Sequence, residues 1–72
     1  MKIKLNLGDT LFEPMSKNIG EIIKMTDHPD GKLVKIRWRV EDHLPHDTEH
    51  FYKKLLRSIK NGELEYSPNQ DV

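Results

Sequence analysis

The chain has no cysteine, five aromatic residues and no net charge. Without cysteine there is neither a disulfide framework nor a thiolate metal site, and a cysteine-free chain suits the reducing cytoplasm. No apolar run approaches the roughly 18 residues of a membrane span, and the polar N-terminus does not read as a signal peptide. Twelve basic residues balance twelve acidic ones, which argues against a protein built solely to coat nucleic acid. Nucleophile-elbow, metalloprotease and glycine-rich phosphate-cradle patterns are all missing, so the reading is of a non-enzymatic protein without a cofactor. Its 72 residues leave room for one domain with one small core.

What is there centres on the stretch from Asn18 to Val40. Val34, Ile36, Trp38 and Val40 alternate with Lys35, Arg37 and Arg39, the period-two pattern of a strand with one buried face. Ile19, Ile22, Ile23 and Met25 mark a partner strand. The adjacent pair Ile22-Ile23 breaks its alternation and predicts a bulge, and Gly20 allows a neighbouring backbone to approach closely. Asp27-His28-Pro29-Asp30-Gly31 is turn chemistry, read as a connection longer than two residues in which a type I turn is closed by Gly31.

The flanks follow. Ile3, Leu5 and Leu7 alternate with lysine and asparagine, predicting a strand over 1–7, and Gly8-Asp9 turns the chain into a short run at Thr10-Leu11-Phe12 that Pro14 ends. Glu41 to Asp47 is acidic, contains Pro45 and reads as a connection. A helix is expected from Thr48 to Lys60, with Asp47 or Thr48 as N-cap and Phe51, Leu55, Leu56 and Ile59 gathered on its apolar face. Asn61-Gly62 stops it, and Glu63 to Tyr66 alternates as a last strand. The expected fold is therefore mainly β: an antiparallel small barrel or bent sheet of about five strands with one amphipathic helix before the last. Its core is expected from Ile22, Val34, Ile36, Trp38, Val40, Leu55 and Ile59.

Gly8-Asp9 opening a strand, Ile19-Gly20-Glu21-Ile22, and Leu33-Val34-Lys35-Ile36-Arg37-Trp38 after a turn together resemble the SH3-like small barrels of the KOW and Tudor type. Those barrels run through a G-D strand, a G-x-I/V strand and a V-x-I/V-x-W strand in close succession. The likeness covers about half the chain, makes 1–66 one SH3-like domain with 67–72 as a frayed tail, and extends to short bacteriophage-encoded proteins. A helix between the last two strands departs from the minimal barrel. The resemblance implies a binding module acting on or within a nucleic-acid machine.

Candidate contact residues come from the charge pattern. Lys35, Arg37 and Arg39 project from one side of a strand, and Lys53 and Arg57 from the helix, so that together they could meet nucleic-acid phosphates or a nucleic-acid-processing protein. A solvated sheet face is the commoner meaning of such a pattern. Stacking aromatics are scarce, because Trp38 and Phe51 are expected inward and Tyr52 alone outside. Trp38 and Tyr66 could line an aromatic cage, though alternation favours core for both. His43, His46 and His50 are weak metal candidates, with His46 and His50 neighbours if the helix starts early. The competing function is a protein-binding inhibitor or regulator that docks through the helix or an exposed strand edge, and edge pairing would also allow a weak homodimer in place of a monomer.

Overall fold

The computed structural model describes residues 3–40 and 42–69. Five antiparallel strands form one sheet: β1 (Thr10–Glu13), β2 (Asn18–His28), β3 (Gly31–Arg39), β4 (His46–Phe51) and β5 (Glu65–Ser67), with the helix α1 (Tyr52–Lys60) before the last. The strand order is β4-β3-β2-β1-β5, and β4 and β5 remain open edges, so the sheet does not close into a barrel. No helix among the described residues is long and apolar enough to cross a membrane.

The β2–β3 ladder follows the sequence pattern closely. Gly20 and Ile22 face inward, then the register shifts between Ile22 and Lys24, leaving Ile23 as the extra residue of a bulge. Without that shift Lys24 would point into the core. With it, Lys24 pairs Lys35 on the outer face and Met25 pairs Val34 on the inner one. The turn is tighter than expected: His28 pairs Gly31, leaving the two-residue loop Pro29-Asp30. Pro29 cannot take the positive φ of a primed hairpin turn, and that conformation falls instead on Gly31, at φ 137°.

Leu5, Leu11, Ile22, Val34, Ile36, Trp38, Leu55 and Leu64 form the buried core, with Ile59 packed against it and half-buried. Val40 lies outside this cluster, one residue beyond the end of β3, where no ladder holds its side chain against the core. Leu11 is paired on both sides, to Gly20 and Tyr66, and is fully buried.

Three stretches differ from expectation. Ile3 to Asn6 belongs to no strand, and Met1 and Lys2 lie outside the described residues. Two of its backbone donors are satisfied by side chains rather than a ladder: Leu5 N–H donates to Tyr52 Oη at 2.8 Å and Asn6 N–H to Asp9 Oδ2 at 2.8 Å. The missing strand is supplied by β4, which occupies the stretch expected to be the acidic connection and the first turn of the helix. His46, Thr48 and His50 turn toward the inner face while Asp47, Glu49 and Phe51 turn outward, and each outward acid stands opposite a β3 cation, Asp47 against Arg37 and Glu49 against Lys35. The helix starts only at Tyr52, with Phe51 as an N-cap that makes no side-chain cap bond. At the other end, Ser67, expected in a frayed tail, pairs Thr10, and Asn69 N–H donates to Asp9 Oδ1 at 2.8 Å. Gln70 to Val72 lie outside the described residues.

Candidate functional site

Alternation on β3 puts Lys35, Arg37 and Arg39 on one face, as the sequence predicts, opposite the face that carries Val34, Ile36 and Trp38. Their neighbours are largely acidic. Arg37 lies between Glu21 on β2 and Asp47 on β4, and Lys35 lies between Lys24 and Glu49. Arg37 donates from Nε to Asp47 Oδ1 at 3.0 Å and from a terminal nitrogen to Oδ2 at 3.3 Å, the two-pronged geometry that fits guanidinium to carboxylate. The hydrogen bond raises the basicity of Arg37 and holds the Asp47 carboxyl below its ordinary range. Only Arg39, beside Ile19, has no acid across from it in the ladder. The outer face is a lattice of both signs.

The helix presents a different surface. Leu55 is buried against the inner face of the sheet, so α1 covers the side of the molecule opposite the β3 cations. At 100° per residue, Lys53, Arg57 and Lys60 fall within one narrow stripe, and Lys54 flanks it. All four are exposed, and the helix contains no acid. Among the described residues the one ion pair of a lysine or arginine with a carboxylate is Arg37 with Asp47, and His28 Nδ1, 3.9 Å from Asp30 Oδ2, accepts the Asp30 backbone N–H; neither contact involves the helix. Lys53 and Arg57 thus lie together, on another surface from Lys35, Arg37 and Arg39.

The stripe leads into a cleft of about 290 Å³ between the tip of the β2–β3 hairpin and the start of α1. Its apolar lining comes from Leu5, Met25, Phe51 and Tyr52. Lys4, Lys32 and Lys53 stand around it with one acid, Asp30. Phe51 is therefore not the core residue that a helix from Thr48 would have made it. As the last residue of β4 it pairs Leu33 on the outer side, is half-buried, and is held by an edge contact with His28 at 5.5 Å between ring centroids. The sequence places Tyr52 outside. In the structure Tyr52 is half-buried beside Phe51, its hydroxyl fixed by Leu5.

The remaining aromatics and histidines have structural partners. Trp38 is 8 % exposed, and its indole N–H donates to Thr48 Oγ1 at 2.7 Å. Tyr66 bonds to Asp9 and to the Lys4 carbonyl, so the two rings belong to separate hydrogen-bonded sets rather than to a cage. His46 and His50 share a strand face but are four residues apart, roughly 13 Å of extended chain. Thr48 stands between them and bonds His50 Nε2 at 2.7 Å, while His43 is exposed in the connection before β4. Among the described residues no three side chains of metal-binding type come together.

Comparison with models of protein families, with curated protein sequences and with solved structures returned no match.

Proposed function

We propose that the protein is a non-enzymatic binding module that contacts a nucleic-acid backbone through the helix surface. The observation that carries this reading is the stripe of Lys53, Arg57 and Lys60, exposed and without an ion-pair partner among the described residues, on a helix that contains no acid. Cations already satisfied by carboxylates release few counterions on meeting phosphate, whereas unpaired ones contribute fully to a salt-dependent association. This favours Lys53 and Arg57 over Arg37, which Asp47 holds in two bonds. Lys35, Arg37 and Arg39 lie on the opposite face and do not join the same contact. The strand order, with a last strand returning beside β1, suits the small-barrel resemblance and with it a role within a transcription, replication or translation complex. A second reading, docking of a protein partner by strand addition, is favoured by β4, a six-residue edge strand paired on one side only.

The test is fluorescence anisotropy with short labelled oligonucleotides across a range of salt concentrations. The Arg57→Ala/Lys60→Ala double variant should weaken binding uniformly across sequences and reduce the salt slope by about two. Arg37→Ala/Arg39→Ala should leave both nearly unchanged. Wild-type behaviour in the helix variant would remove the reading, and a pull-down partner that survives nuclease treatment through β4 would support the second one.

A further inference from the structure

The cleft at the hairpin tip combines apolar surface, aromatic surface and three lysines around one mouth. We infer that this cleft takes one unstacked base of a single-stranded nucleic acid, with Lys4, Lys32 and Lys53 holding the flanking phosphates. The inference rests on the nucleic-acid reading above and gives it a substrate class.

Three observations carry it. The first is composition. Phe51 and Tyr52 bring aromatic surface, and Met25 brings aliphatic surface above the buried Leu5, into a space of about 290 Å³ that is too small to admit a paired duplex. Readers of single strands combine such a stacking surface with a positively charged track for the backbone. The second is charge. Among the described residues none of the three lysines has a carboxylate within salt-bridge distance, and they outnumber the one acid of the cleft, Asp30, whose side chain stands 81 % exposed. The third is continuity. Lys53 belongs both to the cleft and to the helix stripe with Arg57 and Lys60, so a strand whose base enters the cleft can run its phosphates along the helix. Such a row of cations suits a polyanion of regular charge.

Side chains are also fixed in advance of binding. Tyr52 is tied to the Leu5 backbone through its hydroxyl, and Phe51 is braced by His28, so little rotamer freedom remains to be lost when a base arrives.

The experiment compares an oligodeoxyadenylate, an abasic phosphodiester of the same length, the same sequence in a duplex, and polyglutamate, each at low salt. The single strand should bind most tightly, and its adenine ring current should shift the Met25 methyl resonance upfield in the unaltered protein, which the abasic strand should not do. Phe51→Ala should weaken oligodeoxyadenylate binding roughly 5- to 150-fold, the range of one stacking contact, and leave abasic binding unchanged. The Met25 signal keeps the idea testable if that variant fails to fold. Equal binding of the single, abasic and duplex strands, with Met25 unmoved, would overturn the base site and leave the helix contact standing. Absence of any binding at low salt would overturn both. Polyglutamate that binds as tightly as the oligodeoxyadenylate would assign the cleft to an acidic protein segment instead.

Discussion

The hydroxyl of Tyr66 donates to Asp9 Oδ2 at 2.7 Å, joining residues 57 apart in the chain. Asp9 is 2 % exposed, and its carboxylate accepts three hydrogen bonds: from Tyr66, from the Asn6 N–H and from the Asn69 N–H. Burial alone would push this carboxyl up, but the donors from Asn69, Tyr66 and Asn6 outweigh it and hold the group below its ordinary range. Burial and the Asp9 bond push Tyr66 up to about 12. One side chain thereby fastens the N-terminal segment, β5 and the residues after it to the start of β1.

Tyr66→Phe should therefore cost about 1–3 kcal/mol at neutral pH, read as a lower urea midpoint with an unchanged slope. A carboxyl held low in the folded state adds stability above its unfolded value, and that stability is lost as pH falls through the folded value. The cost of Tyr66→Phe should accordingly shrink in strong acid, where Asp9 is protonated. An equal midpoint for variant and wild type at neutral pH would mean that the bond contributes nothing.

The central hairpin was legible because its inward residues are apolar: Val34, Ile36 and Trp38 show period two, and the doubled isoleucine marks the bulge. β4 was not, because its inward residues are His46, Thr48 and His50. Thr48 and His50, which bond to each other and through Thr48 to Trp38, are half-buried without an apolar signature, and His46 is exposed, so alternation in hydrophobicity could not reveal the strand. The N-terminal alternation misled for the converse reason. Leu5 is buried as the pattern requires, yet its backbone is satisfied by a tyrosine hydroxyl rather than a neighbouring strand. The candidate cleft inherits both errors, since Phe51 reaches it only as the end of β4 and Leu5 only as part of an unpaired segment. Its lysines are scattered through the sequence at 4, 32 and 53 and have no local pattern to find.

Gly20 offers a sharper test of packing. An added Cβ there would stand 2.6 Å from Ile36 Cγ2 and 2.9 Å from Trp38 Cε3 and Cζ3. Gly20 does not have positive φ, so alanine would fit the backbone and the whole effect is steric. The indole cannot yield freely, because its N–H is held by Thr48. Gly20→Ala should cost about 1–3 kcal/mol and shift the emission of the single tryptophan. Unaltered emission with an unaltered midpoint would show that the ring moves aside at no cost.

The Trp38–Thr48–His50 set makes stability sensitive to mild acid. Thr48 Oγ1 accepts the indole N–H at one lone pair and keeps its own proton, which it can donate to the unprotonated Nε2 of a neutral His50. Burial, and after it the charge of Lys54, lowers the tendency of His50 to take up a proton. In the unfolded chain the same imidazole titrates at about 6.5. The unfolded state therefore gains a proton before the folded state does, and stability is complete above that value and falls as pH drops below it, until the folded imidazole also protonates. His50→Gln keeps a hydrogen-bonding side chain beside Thr48 and removes the titration. The difference in urea midpoint between wild type and His50→Gln should change in favour of the variant as pH falls from 7.5 toward 5.5, conditions chosen about one unit either side of the free imidazole value. An NMR titration of the His50 ring proton gives the direct measurement. A midpoint at or above that of a free imidazole would show that the ring is charged in the fold and that Thr48 bonds it in the opposite sense.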